Sequence, residues 1–146
     1  MLKKIGILLL IIFVIIQFFR PQKNVSKEIT STDFLKSTTA NNDIAEIITS
    51  SCYDCHSNNT KYPWYSEVAP VSWWIAHHVD EGKEELNFSE WTTFSEKRKK
   101  KKLKEMIEEL DEKEMPLKTY LPMHTEARLT DQERSELITW IKSLGQ

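Results

Sequence analysis

Cys52-Tyr53-Asp54-Cys55-His56 decides how the rest of this chain is read. The two thiols lie three positions apart on one helical turn, and a histidine follows the second at once. This C-x-x-C-H spacing attaches a c-type haem: each thiol adds to one vinyl group as a thioether, and the imidazole lies where it can ligate the iron. Three other uses of the pair stay open on the residues alone. A redox dithiol usually accompanies a βαβ pattern, and no Val/Ile-rich strand run lies nearby. A zinc site would have to recruit His77, His78 or His124 from scattered positions. A disulfide over so short a gap closes a very small loop and stabilises little. The first expectation is one covalent haem c, held by Cys52 and Cys55, with His56 as proximal iron ligand.

Toward the N-terminus, residues 5–19 are apolar except for Gly6 and Gln17, with Lys3-Lys4 before them and Arg20-Pro21 after. The stretch reaches about 22 Å as a helix, short of a hydrocarbon core of about 30 Å, so flanking residues must help it span. Phe18-Phe19-Arg20-Pro21-Gln22 offers no small-x-small cleavage site. Residues 1–20 are therefore expected to be a retained signal anchor, a transmembrane helix. Charge leaves its orientation undecided, because Lys3 and Lys4 are nearly matched by Arg20, Lys23 and Lys27. Thioether attachment takes place outside the bacterial cytoplasm. The expected location is thus the inner membrane, crossed once, with the haem domain facing the periplasm. Beyond Arg20 there remain 17 bases against 22 acids, a mild acidic excess that does not suggest nucleic acid as a partner.

Residues 21–40 are polar, without a sustained apolar period, and read as a flexible linker. Residues 41–146 read as the haem-binding domain. Asp43 is a candidate cap for a helix with Ile44, Ile47 and Ile48 on one face, ending at the cysteine motif. Pro63 and Pro70 bracket an aromatic loop, and Val71 to Glu81 reads as a helix closed by Gly82. Trp73 and Trp74 on that helix read as core or as haem contacts. Ser95 caps a long helix whose stripe is Leu103, Met106, Ile107 and Leu110. Thr130-x-x-Glu133 opens a last helix carrying Leu137, Ile138, Trp140, Ile141 and Leu144. Without hairpin signals or repeats, the domain is expected to be all-α.

Glu114-Met115-Pro116-Leu117 supplies the candidate for the other side of the iron. A residue before proline is pushed out of helical geometry, and thioether sulfur is a soft ligand that does not titrate. Methionine opposite histidine raises the haem potential into a range useful for electron transfer. His124, in Pro122-Met123-His124, is the alternative distal ligand, with Met123 behind it and His77 and His78 weaker still. Residues 97–102 with Lys104 form a basic run followed by acids on the same helix. It reads as a solvated face, although this order opposes the helix dipole and leaves a docking patch or attraction to haem propionates as options.

The motif, with Ser57-Asn58, Tyr62-Pro63-Trp64-Tyr65, Ala69-Pro70-Val71-Ser72-Trp73, Leu86-Asn87-Phe88-Ser89-Glu90-Trp91 and Glu114-Met115-Pro116-Leu117, resembles the bacterial haem-binding domain family related to cytochromes c. The resemblance covers most of residues 41–146. It implies a cytochrome c-like helical fold around one haem, attachment at Cys52 and Cys55, His56 as proximal ligand, and Met115 favoured over His124. The expected function is a membrane-anchored monohaem cytochrome passing single electrons between periplasmic redox partner proteins. On this reading both axial positions are filled, and a backbone carbonyl near Pro70 accepts from the second His56 nitrogen. The alternatives are a peroxidase-like enzyme or a haem-based sensor with an open or exchangeable distal position.

Overall fold

The structure, a computed structural model, describes residues 1–26 and 28–145; Lys27, counted above among the charges, and Gln146 lie outside the described residues. Among the described residues seven α-helices follow in order: α1 Leu2–Ile16, α2 Phe34–Ser37, α3 Asn42–Ser51, α4 Tyr53–His56, α5 Val71–Glu85, α6 Glu96–Asp111 and α7 Asp131–Leu144. Short 3-10 turns at Trp64–Glu67, Phe88–Thr93 and Thr125–Ala127 fill the connections. A single antiparallel bridge, Val25 to Asn59, is the extended pairing among the described residues. The fold is all-helical, as expected.

The expected transmembrane helix is not found. α1 is 15 residues long, and among the described residues no helix is long and apolar enough to cross a membrane. At about 1.5 Å per residue it falls short of the bilayer core. Its far end is held to the domain by polar bonds. The Gln17 side-chain amide donates to the Ala69 carbonyl at 3.0 Å and accepts from the Ala69 N–H at 2.9 Å. Trp73 Nε1 donates to the Phe19 carbonyl, and Glu67 pairs with Arg20 and Lys23.

Residues 21–40, expected as a linker, lie against the domain at two places. Asn24 donates to the Ser57 carbonyl and to Thr60 Oγ1, and Lys83 Nζ donates to its side-chain oxygen. Phe34, at 0 % exposure, enters the core between Phe88, Trp91 and Trp140, with ring centroids 4.9, 4.7 and 5.6 Å away. Asp33 caps α2 through the Leu35 N–H and accepts from the Tyr53 hydroxyl at 2.8 Å, so the linker also touches the turn that bears the motif.

The core joins Phe34 to Ile44, Ile47 and Ile48 of α3, Phe88 and Trp91 of the middle turn, Leu103 and Leu110 of α6, and Leu137 and Ile141 of α7. Asn41, two residues before the expected cap, caps α3 in place of Asp43. Ser95 caps α6, and Thr130 with Glu133 closes a reciprocal capping box on α7. Four of the seven bases of the run pair within their own helix: Lys99 with Glu96, Lys101 and Lys102 with Glu105, and Lys104 with Glu108. It is a salt-bridged, mostly solvated face. Trp73 and Trp74 are partly exposed and do not belong to the core.

Candidate functional site

α3 does not run unbroken into the cysteine motif. Cys52 takes φ −127°, ψ −40°, which ends α3 and starts the separate turn α4. The separate turn α4 lies against α5, with Cys55 and His56 both meeting Gly82. α5 itself runs through Gly82 to Glu85, so Gly82 is a helix interior residue and not the expected cap. The reason is packing: a Cβ at Gly82 would lie 2.7 Å from the Cys55 carbonyl oxygen and 3.2 Å from Cys55 Cβ. Only glycine permits α4 and α5 to approach so closely.

That approach fixes the imidazole. His56 Nδ1 lies 2.7 Å from the Gly82 carbonyl and 3.0 Å from the Leu86 carbonyl. Both partners are acceptors, so Nδ1 carries the proton and Nε2 keeps its lone pair. The expected carbonyl near Pro70 is not the partner; α5 supplies it from its opposite end. Burial lowers the His56 pKa below the ordinary value, outweighing these two hydrogen bonds, which act the other way. A neutral imidazole with a free Nε2 is the ligating form.

Cys52 and Cys55 are free thiols. Burial, followed by the neighbouring Cys55, pushes Cys52 up to about 12; burial, followed by Asp54, pushes Cys55 up to about 11. They are poor thiolates, which tells against a reactive dithiol or a ready zinc ligand. Among the described residues no group of three or more His, Cys, Asp or Glu side chains gathers as a metal site.

Two cavities open on this turn. One, of about 340 Å³, is bounded by Cys52, His56, Met115 and the apolar side chains of Ile48, Leu86, Phe88, Met106, Leu110 and Leu137. The other, of about 260 Å³, is bounded by Cys52, Cys55, His56, Gly82, Met115 and Pro116. Both include Ser51, Cys52, His56, Glu85 and Met115, so they are neighbouring parts of one cleft. Ligand pockets span about 300–1,000 Å³. Thiols, a free imidazole nitrogen and a thioether facing one apolar cleft make a donor set that fits a haem.

His124 does not line either cavity. It borders a third cavity, of about 80 Å³, with Asp54, Cys55, Tyr65 and Tyr120. Its Nδ1 lies 3.3 Å from Glu126, and its Nε2 pairs with the Tyr65 hydroxyl. Both ring nitrogens are therefore engaged. His77 pairs with Glu81 on the surface, His78 bonds back to the Trp74 carbonyl, and Met123 is exposed.

The roles of several residues in and around the cleft escaped the sequence reading. Gly82 is a lone glycine in a helical pattern, a signal that a close approach explains as well as a cap does. Lys102 is nearly buried at the cleft rim between Glu85 and Glu105, at 3.2 and 2.7 Å. Burial works against its charge, and the two carboxylates overcome that and hold its pKa up. Arg134 donates through Nη1 to the carbonyls of Leu110 and Met115, at 2.7 and 3.0 Å, fixing the backbone at the candidate ligand. Nothing in the local sequence marks these partners, which come from other helices.

A family model described as "Haem-binding domain" matches residues 11–143. The matched span begins inside α1 and takes in Gln17 and residues 21–40, the parts that the structure ties to the domain. No curated protein and no solved structure matches the chain.

Proposed function

Because the chain belongs to the haem-binding domain family, we infer that it is a monohaem c-type protein that passes single electrons between partner proteins. The observation that carries this reading is His56: the carbonyls of Gly82 in α5 and of Leu86 just past its end fix Nδ1–H and leave Nε2 free beside the cleft shared with Cys52 and Met115. When bound, haem supplies an iron that alternates between ferrous and ferric states. Cys52 and Cys55 would hold it covalently, each through a thioether to one vinyl group; burial keeps both thiols protonated beforehand. His56 would ligate the iron, oriented by the Gly82 and Leu86 carbonyls as second-sphere carbonyls commonly orient metal-bound imidazoles. Met115, whose backbone carbonyl Arg134 holds, would be the second protein ligand.

With His56 and Met115 both ligating the iron, the protein would act as an electron carrier and not as an enzyme. Ile48, Phe88, Leu110 and Leu137 give the cleft an apolar wall for the porphyrin. The setting is the periplasm, where thioethers are made. The uncovered apolar residues of α1 suit contact with a membrane surface, without a crossing of the bilayer.

The test is made on the full chain matured in a host that attaches haem c. Haem should stay with the polypeptide on a denaturing gel, and a potentiometric titration should follow a one-electron curve. Haem that extracts fully into acidified organic solvent sinks the covalent assignment. A wild type that is high-spin and binds carbon monoxide readily replaces the carrier with an open-site enzyme or sensor.

A further inference from the structure

The segment from Glu112 to Thr130 contains no α-helix, yet it carries the candidate ligand Met115. Arg134 holds it at its start. Five residues beyond Met115, the Tyr120 hydroxyl donates to Asp54 Oδ2 at 2.7 Å. Asp54 stands between the two cysteines, and its carboxylate is itself placed by the Lys61 N–H at 3.0 Å, while its carbonyl accepts from Thr60 Oγ1 at 2.7 Å. His124 then stacks on Tyr120, with ring centroids 3.9 Å apart and planes 10° apart, and reaches Tyr65 beyond. Tyr120 thus bridges the two segments that would flank the iron.

Burial, and next the bond to Asp54, raise the Tyr120 pKa, so its hydroxyl keeps the proton it donates. A hydroxyl giving its proton to a carboxylate in a partly buried place makes one of the stronger hydrogen bonds available to a protein. Packing on His124 needs only the ring. The hydroxyl adds a bond that neither the stack nor the core requires.

We propose that Tyr120 is a positioning residue that latches the Met115 segment onto the cysteine turn through Asp54. The proposal rests on the reading of Met115 as distal ligand. With the latch closed, Met115 is held at the cleft and external ligands are excluded; with it open, the segment swings on its attachment at Arg134.

The decisive variant is Tyr120→Phe in the full, haem-loaded chain, which keeps the ring and its stack and removes the bond to Asp54. Imidazole affinity of the ferric protein should rise about tenfold, the factor that loss of one hydrogen bond to a charged group represents. The weak red charge-transfer band of sulfur-ligated haem should fade in step. Asp54→Asn, which keeps an acceptor but loses the charge, should move both readouts in the same direction by less. Wild-type imidazole affinity and an intact red band in a folded Tyr120→Phe overturn the latch. Should Tyr120→Phe fail to fold, Asp54→Asn decides alone: weakened exclusion of imidazole supports the latch, and wild-type behaviour overturns it. Met115→Ala separates the two levels. A red band that survives in Met115→Ala removes the ligand reading and the latch with it, whereas a band lost there and unchanged in Tyr120→Phe removes only the latch.

Discussion

The Gly82 carbonyl accepts the Nδ1 proton of His56 at 2.7 Å, across 26 residues of sequence. The same glycine lacks the Cβ that would stand 2.7 Å from the Cys55 carbonyl oxygen. One residue therefore sets both how closely α4 approaches α5 and which tautomer the histidine takes.

Gly82→Ala should destabilise the protein despite alanine's better helix propensity. Propensity favours the change by about 1 kcal/mol, while forcing a methyl group against fixed backbone costs about 1–3 kcal/mol. A lowered urea midpoint with helix content retained is the expected outcome. A more stable variant would show that the helices separate easily.

Stability should fall as the solution is acidified through the histidine range. Burial lowers the folded-state pKa of His56 from 6.5, so below that value the unfolded chain binds a proton that folded His56 refuses. The contribution is fully present above 6.5 and is lost as pH drops toward the folded value, with a slope of at most about 1.4 kcal/mol per pH unit. Thermal melts of wild type and His56→Gln from pH 8 to 5 check this. The wild-type curve should be the steeper of the two.

Phe34→Ala should cost about 3–5 kcal/mol, as removal of a large aromatic from a packed core does. The ring touches Phe88, Trp91 and Trp140, so its loss opens a cavity behind the motif-bearing turn. A change below 1 kcal/mol in chemical denaturation would return residues 21–40 to the role of a free tether.

Lys113 sits at φ 58°, just past the end of α6, where glycine is usual. Lys113→Gly should raise stability by about 0.5–1 kcal/mol, because relief of the left-handed backbone, about 1–2 kcal/mol, exceeds the entropic cost of glycine, about 0.5–1 kcal/mol. The ion pair with Asp131 is lost as well, but it lies in solvent and offsets little. An unchanged or lower melting temperature would show that the ion pair matters more than the backbone.

The sequence by itself determined the helical class and the places of α3, α5, α6 and α7, and it set Cys52, Cys55 and His56 together as the candidate haem motif. These are local signals. Apolar spacing is read within one helix, the caps Ser95 and Thr130 act within four residues, and C-x-x-C-H is complete in five positions. What lies across the fold was decided only by tertiary structure. Gly82 lost its expected role as a cap because contact with Cys55 outweighs the modest cost of glycine inside a helix. Phe34 is one aromatic in a polar stretch, with no period to mark it, and its burial depends on rings that arrive from the middle turn and from α7. The partners of His56, Tyr120 and Met115 stand 26, 66 and 19 residues away. Donors and acceptors at such separations meet only when packing has closed the chain, and no spacing rule within a segment encodes that meeting.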